Sequence, residues 1–410
     1  MNLRSHVIAR LRELEWSTLV FVVLLSLSGL LAIYSIEVQH DSNSGYFFRQ
    51  SIWTIVGVGL FFVAYFIPRK IIHNLTYPAY GVGIFLLLIP IAFKSGGGVS
   101  RWITIGSIGI QPSEFMKIFL LLALAKYFAD HKRRLSTVKE LMSPVALTLG
   151  PTMLVLIQPD LGTALVYFGI LIVVIFWAGI SPLYFYLLLA PVISMLAAFQ
   201  TLSFFLWMGL IIVILYFSNL PFWTKVLNFS INVVLGGITN LLWALLKPYQ
   251  QQRILSLIDS ESDPLGAGYQ VAQSLTAFGS GGPFGKGLGQ GTQTHLKFLP
   301  EQHTDFIMTV IGEEFGFVGV LIVLGLFYLL IARLITQAYN SKFRFDSVIL
   351  IGISAIFVFH VFVNLGMIVG IMPVTGIPLP FISYGGSFMV TSMILAGLSA
   401  NMSSVRRAVG

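Results

Sequence analysis

Long apolar runs recur along nearly the whole chain, separated by short polar stretches. Each run is about 20 residues long, which as a helix spans the roughly 30 Å hydrocarbon core of a bilayer. The runs are continuously apolar and do not alternate, which favours helices over the strands of a membrane barrel. The pattern predicts twelve spanning helices, at residues 16–36, 50–68, 74–93, 112–130, 141–157, 161–180, 182–199, 202–218, 225–247, 305–333, 347–371 and 380–402.

Two regions depart from this rhythm. Residues 182–247 hold three weakly separated apolar runs, of which one or two could be re-entrant or peripheral. Residues 248–304 are hydrophilic and glycine-rich. Long connections without evident secondary structure are usually functional or disordered, and the aromatic and aliphatic residues throughout this one argue against disorder. The chain therefore reads as a single membrane domain, residues 1–410, with one large loop at 248–304.

Composition excludes a soluble fold. The chain is 56% hydrophobic and only 10% charged, whereas an average soluble domain is roughly 25% charged. It contains no cysteine, which excludes disulfides and thiolate metal sites. The first span is too long for the core of a cleavable signal peptide and reads as an uncleaved signal anchor.

Lysine and arginine, which stay preferentially in the cytoplasm, set the orientation. Placing the N-terminus inside puts 16 of the 24 Lys and Arg residues on that side. Both termini are then cytoplasmic and the 248–304 loop is extracytoplasmic. The net charge of +8 reflects this topology and is no sign of nucleic-acid binding.

The long loop holds three carboxylates close together, Asp259, Glu261 and Asp263. Such a group could supply a general base or bind a cation, and it could equally be a solvated acidic turn. Asp263 opens an Asp-Pro-x-Gly turn, which fixes the local backbone. A fixed backbone suits a positioned carboxylate, so Asp263 is the strongest candidate.

Residues 279–291 follow, with alternating glycines that permit positive φ and close approach to an anion. They could form an anion cradle or a tight structural Ω-loop. Beyond them, Thr304 or Asp305 is placed to cap the next helix. Glu313 and Glu314 lie two turns deeper in that span, where a neighbouring cation or polar cavity must accompany them if they are charged.

Polar residues also mark other outer segments. Glu114 and Lys117 are three residues apart, so they share a helix face and can pair. Arg49 and Arg101 would be available to a phosphorylated ligand at the membrane surface. Asp160 is most simply a helix cap.

Two features lie near the end of the chain. His360 and Asn364 share one face of the eleventh span and are predicted to hydrogen-bond between helices, in a packing role. Residues 378–387 break the helical pattern, and broken backbone at that depth must be buried in protein or line a cavity.

Together these strings resemble the SEDS family (shape, elongation, division and sporulation proteins) over nearly the whole chain. The strings Asp263–Gln270 and Gly291–Thr294 are closer to family members of cell elongation than to those of division. The remaining resembling strings are Gln111–Glu114 with Lys117, Gln158–Thr163, Gln273–Leu275, Gly279–Gly291, Leu299–Phe306, Gly312–Glu314 and Pro378–Gly386.

The resemblance implies a peptidoglycan glycosyltransferase that polymerises lipid II into β-1,4 glycan strands and releases undecaprenyl diphosphate, for cell elongation and shape. The family's catalytic carboxylate falls on Asp263. The substrate-binding residues that it implies are Arg49, Arg101, Glu114, Lys117, Asp160, Lys286, His303, Asp305 and Ser383.

The transfer inverts an α-linked diphosphate sugar to a β-link, which needs a base for the acceptor hydroxyl and positive charge for the leaving group. A divalent cation, Mg²⁺ or Mn²⁺, would assist. The resemblance further implies the bacterial cytoplasmic membrane, the elongation machinery and a class B penicillin-binding protein, a transpeptidase, as partner. The family typically has ten spans, and the surplus here lies in 182–247.

Two other functions remain open. A lipid II flippase would suit a many-spanned bundle with the intramembrane acids Glu313 and Glu314, although we find no internal repeat and the motifs gather on one side. The chain could also be a non-catalytic scaffold for the transpeptidase.

Overall fold

The computed structural model describes residues 10–39, 45–93, 101–106, 108–131, 138–255, 266–295 and 301–404. These residues form a helical bundle with one short hairpin. The elements, in chain order, are α1 (Trp16–Gln39), α2 (Tyr46–Phe66), α3 (Arg69–Ala92), β1 (Ile103–Ile105), β2 (Ile108–Ile110), α4 (Pro112–Asp130), α5 (Val138–Ile157), α6 (Leu161–Trp177), α7 (Pro182–Ala197), α8 (Thr201–Phe217), α9 (Phe222–Leu245), α10 (Pro248–Leu255), α11 (Ala267–Ser280), α12 (Thr292–His295), α13 (Ile307–Tyr339), α14 (Arg344–Ile368) and α15 (Gly386–Ser404).

Every predicted span coincides with one of these helices. Within the described ranges, seven helices are long and apolar enough to cross a membrane, namely α1, α2, α3, α5, α9, α13 and α14. The apolar helices α6, α7 and α8 are shorter, and most residues of α4 and α15 are buried among other helices. The prediction of an all-α, multi-pass membrane protein is confirmed.

The last helix packs closely against the second. A Cβ atom on Gly397 of α15 would lie 2.3 Å from the carbonyl oxygen of Phe61, so only glycine permits this approach. Nearby, the Asn401 amide donates to the carbonyls of Ala64 (2.9 Å) and Ile67 (2.7 Å) at the end of α2. These bonds satisfy carbonyls that a helix end leaves without partners.

Residues 182–247 form a separate group of three helices, α7 to α9. They share a small core of their own, which consists of Leu187, Ala190, Met208, Ile211 and Leu215. Polar side chains inside the group pair with one another: the Ser194 hydroxyl donates to Asn232 Oδ1 (2.6 Å) and accepts from Trp207 Nε1 (2.9 Å). All three weakly separated runs are therefore helices, and they lie beside the main core.

The long loop at 248–304 is more regular than its sequence suggests. It contains α10, α11 and the short α12, although no secondary structure was predicted there. Asp259, Glu261 and Asp263 lie outside the described residues.

A hairpin that was not predicted links α3 to α4. Its strands pair antiparallel, with Ile103 opposite Ile110. A Cβ atom on Gly109 would lie 3.3 Å from the Trp102 ring, which is a tight contact. Glycine at this position therefore leaves room for the ring against the hairpin. The hairpin sets the position of Arg101 just before its first strand.

The glycine-rich segment packs as a tight loop against a kink in α13. Gly316 has φ 68° and ψ −168°, which breaks the helix. Four backbone hydrogen bonds of 2.9–3.0 Å join the loop to the kink: Lys286 N to Glu313 O, Gly287 N to Glu314 O, Phe317 N to Gly282 O and Val318 N to Pro283 O. Of the two alternatives for residues 279–291, the structure shows the tight structural loop.

We expect Gly316→Ala to destabilise the protein, because this backbone conformation costs a residue with a Cβ atom about 1–3 kcal/mol and that atom would lie 2.2 Å from Gly285 N. Gly325 is a matched control in the same helix, with nothing within 4 Å of its Cβ position. Gly325→Ala should be neutral or stabilising. Thermal unfolding in detergent measures both, and equal midpoints would contradict the expectation.

Candidate functional site

A polar cavity of about 470 Å³ lies between α4, α6, α10, α14, α15 and the irregular segments at 301–305 and 375–385. Its wall carries both signs of charge, in the side chains of Arg101, Lys117, Arg253, Glu114, Asp160, Glu301 and Asp305. The broken segment behaves as predicted: Leu379 and Ile382 are buried, while Pro378 and Gly385 line the cavity.

Arg101 lies across the turn that precedes α6. Its guanidinium donates to the carbonyls of Gln158 (Nε–O 3.2 Å) and Pro159, and its Nη1 lies 4.0 Å from Asp160 Oδ1. Asp160 caps α6 as predicted, since its carboxylate accepts from Thr163 N (3.2 Å) and from the Thr163 hydroxyl (3.0 Å). The cap orients Asp160, and Arg101 brings positive charge to this side of the cavity.

Lys117 forms the predicted pair with Glu114, deep in the bundle. Its Nζ lies 2.7 Å from Glu114 Oε2, and the two side chains are 1% and 6% exposed. The same Nζ lies 3.2 Å from His360 Nε2. The predicted bond from His360 to another helix is thus present, and His360 also lines the cavity beside this lysine.

Asp305 lies in the cavity wall just before α13, outside the membrane-spanning helix. Neither Asp305 nor Thr304 caps α13, so that prediction was wrong: Phe306 is the cap residue and no side chain caps the helix. Burial, together with the charge of Glu301, raises the pKa of Asp305 to about 6, against the lowering effect of Arg253. Arg253 was not predicted as a site residue, although it stands in the string that leads to Asp263.

We expect Asp305→Asn to change how stability depends on pH. The pKa of Asp305 is about 6 in the folded protein against an ordinary value of 3.8, so the unfolded chain loses this proton first. Wild-type stability therefore falls as the pH rises from about 4 to about 6, and the variant lacks this contribution. Melting curves in detergent at several pH values measure it, and parallel curves for the two proteins would contradict the expectation.

Lys286 lies away from the cavity, at the glycine-rich loop. Its Nζ pairs with Glu313 Oε1 (2.7 Å), whose carboxylate also accepts from Gln293 N (2.9 Å) and Thr294 N (3.0 Å). Glu313 thus has the neighbouring cation that was predicted, and Glu314 accepts from the Ser35 hydroxyl (2.5 Å). The Glu313 carboxylate is therefore bound by the Lys286 side chain and by two backbone N–H groups of α12, not by the glycines.

Three other predicted substrate-binding residues are not brought to the cavity wall described above. Arg49 is exposed on α2. The His303 ring stacks on Tyr46 with centroids 4.6 Å apart, and burial lowers its pKa, against the effect of Glu301. The Ser383 hydroxyl is taken up by backbone, donating to Thr304 O (2.6 Å) and accepting from Leu379 N (2.8 Å).

Asp263 lies outside the described residues, so its role stays a prediction. Arg253, ten residues earlier in the sequence, lines the cavity. Its helix, α10, therefore ends beside the cavity on the way to Asp263.

Among the residues that the structure describes, no group of three or more His, Asp or Glu side chains is arranged to hold a metal ion. In the cavity, Lys117 engages Glu114, and Thr163 engages Asp160. These side chains therefore do not form a ligand set for Mg²⁺ or Mn²⁺.

Known proteins are similar to this chain over nearly its whole length. The sequence model of the FtsW/RodA/SpoVE family, described as "Cell cycle protein", matches residues 15–205 and 195–408. The peptidoglycan glycosyltransferase RodA of Treponema pallidum (strain Nichols) is 34% identical over 94% of this chain and 96% of its own length. The peptidoglycan glycosyltransferase MrdB of Escherichia coli K12 is 35% identical over 95% and 93%.

A solved structure extends the similarity to the fold. It is a chain from a peptidoglycan synthase complex, described in terms of the coordination of polymerization and crosslinking. It superposes with a TM-score of 0.71 at 31% identity, covering 96% of this chain and 98% of its own. The chain belongs to the SEDS family of FtsW, RodA and SpoVE proteins.

Proposed function

We propose that this chain is a peptidoglycan glycosyltransferase that polymerises lipid II into β-1,4 glycan strands for cell elongation and shape. The observation that carries the proposal is the polar cavity, because it gathers Arg101, Lys117 and Arg253, and Arg253 precedes Asp263 by ten residues in the sequence. A diphosphate leaving group needs such charge, and positively charged donors stabilise it most where water is excluded.

The reaction breaks the bond between the sugar C1 and the diphosphate oxygen of one lipid II while the acceptor oxygen bonds to C1 from the opposite face. Asp263 takes the proton of the acceptor hydroxyl, and undecaprenyl diphosphate leaves with the bonding electron pair. Arg101 and Arg253 face the developing charge from two sides of the cavity. The 248–304 loop therefore carries the base and one cation, Arg253, while Arg101 comes from the segment before β1 and Lys117 from α4.

Topology supports an extracytoplasmic reaction. The segments that build the cavity connect α3 to α4, α5 to α6, α9 to α13 and α14 to α15. In the positive-inside orientation these connections all lie outside the bacterial cytoplasmic membrane, with both termini in the cytoplasm. The relative in a peptidoglycan synthase complex supports a class B penicillin-binding protein of the elongation machinery as the crosslinking partner.

A lipid II polymerisation assay with purified protein in detergent tests the proposal against a flippase, because detergent removes the two sides that transport needs. We expect glycan chains, whose length is read on a gel. The intramembrane acid Glu313 was an argument for an ion-coupled carrier. In the structure its carboxylate is paired with Lys286, which weakens that argument. Absence of chains with the partner transpeptidase present, alongside translocation in vesicles, would contradict the proposal. Activity of the isolated chain would exclude a pure scaffold.

A further inference from the structure

The Lys117 ammonium is enclosed by three side chains. Besides Glu114 Oε2 (2.7 Å) and His360 Nε2 (3.2 Å), the ring of Phe388 lies 5.3 Å from Nζ. An ammonium group carries three N–H donors, and the two polar contacts use at most two of them. At least one donor therefore remains for the cavity, whose wall Lys117 helps to form.

The contacts of His360 fix its protonation. Its Nδ1 lies 2.9 Å from the carbonyl oxygen of Pro378, which only accepts, so Nδ1 carries the proton. Its Nε2 then has a lone pair, and that lone pair accepts from Lys117. A second proton on the ring would point at the ammonium. Both contacts therefore require the same neutral tautomer.

A neutral acceptor at this place has a consequence for Lys117. Glu114 alone would draw the ammonium towards its own carboxylate. His360 contacts Lys117 Nζ from another side without adding negative charge. The Lys117 ammonium group therefore still attracts an anion. The imidazole is 1% exposed and anchored by the broken segment, which fixes its direction.

We propose that His360 is a positioning residue for the transfer reaction. It holds the Lys117 ammonium so that a free N–H points into the cavity, where it binds the diphosphate of the lipid-linked substrate. This inference rests on the proposed function and gives it a geometry. His360 itself touches no substrate and acts through Lys117.

A double-mutant cycle with purified full-length protein and lipid II tests it. We expect His360→Phe to lower polymerisation about 10–100-fold, the range for one charge-assisted hydrogen bond. His360→Gln should stay within about threefold of wild type, because its amide oxygen and nitrogen replace the acceptor and the donor. If His360 acts through Lys117, the double variant His360→Phe/Lys117→Met is no less active than Lys117→Met alone.

Asn364 supplies the matched control. It lies one turn after His360 and donates to the carbonyls of Ile377 (2.9 Å) and Asp305 (2.8 Å), so it anchors the same segment. Its effect does not pass through Lys117, so losses from Asn364→Leu and Lys117→Met should multiply. Activities are normalised to the amount of monodisperse protein. If the activity of Lys117→Met falls below detection, the same cycle is measured as the affinity of each variant for lipid II.

Multiplying losses in the His360 cycle, or a His360→Gln variant as impaired as His360→Phe, would overturn the positioning role. Wild-type protein that makes no glycan would instead overturn the proposed function. The two failures are therefore distinguishable.

Discussion

Asp263→Asn is expected to lower lipid II polymerisation about 10²–10⁴-fold, the usual contribution of a positioned general base. Asparagine keeps the size and turn preference of aspartate, so the turn predicted at Asp263-Pro264 should not be disturbed. Elution and thermal unfolding in detergent should match wild type. The assay follows glycan formation by the variant with and without the partner transpeptidase, since a partner that activates the chain would otherwise mask a residual rate.

Variants of the neighbouring carboxylates distinguish the three hypotheses for this acidic segment, namely a general base, a cation site and a solvated turn. Asp259→Asn and Glu261→Gln should remain within about threefold of wild type if Asp263 is the base. A comparable loss in all three variants, relieved by excess Mg²⁺ or Mn²⁺, would instead indicate a cation site. Full activity of Asp263→Asn would mean a solvated turn and would remove Asp263 from the mechanism.

Glu313→Leu is expected to destabilise the protein by about 3–5 kcal/mol, the cost of removing one partner of a buried charge pair. The Glu313 side chain is fully buried, and its loss leaves Lys286 without a counter-charge and the amides of Gln293 and Thr294 without an acceptor. Thermal unfolding in detergent measures the loss. Limited proteolysis within residues 281–291 should be faster, because the loop loses its anchor on α13.

A second variant separates the two contributions to this loss of stability, the unpaired Lys286 charge and the unsatisfied backbone amides. Glu313→Leu/Lys286→Met removes both charges, so it should recover part of the stability, while the two unsatisfied amides keep it below wild type. Full recovery would mean that only the charge mattered. A single Glu313→Leu variant as stable as wild type would show that the carboxylate does not anchor the loop.

Local patterns made the fold and part of the site predictable. Apolar runs located the helices, since each must match the bilayer regardless of its neighbours. The Glu114–Lys117 pair and the Asp160 cap involve residues three positions apart, so helix geometry alone specifies them. The broken backbone at 378–387 was assigned to the protein interior or to a cavity wall, because lipid at that depth cannot satisfy its backbone groups.

The rest of the site depends on contacts between distant segments. Lys286 pairs with Glu313, 27 residues later, and nothing near either one signals the partner. His360 was interpreted from its own helix alone, whereas its contact with Lys117 joins it to another helix and exists only in the folded chain. Ser383 belonged to a family string, yet its hydroxyl is bound by backbone that only the folded chain brings near.

The contact between α2 and α15 has a consequence for biogenesis. Helices α7 to α9 are consecutive, so they can complete their own core as soon as they enter the bilayer. The second helix, by contrast, lacks the packing partner of Phe61 and the hydrogen-bond donor to Ala64 and Ile67 until Gly397 and Asn401 are synthesised. Nascent chains that stop before the last helix therefore expose this face of α2 to lipid, with the carbonyls of Ala64 and Ile67 lacking the donor that Asn401 supplies.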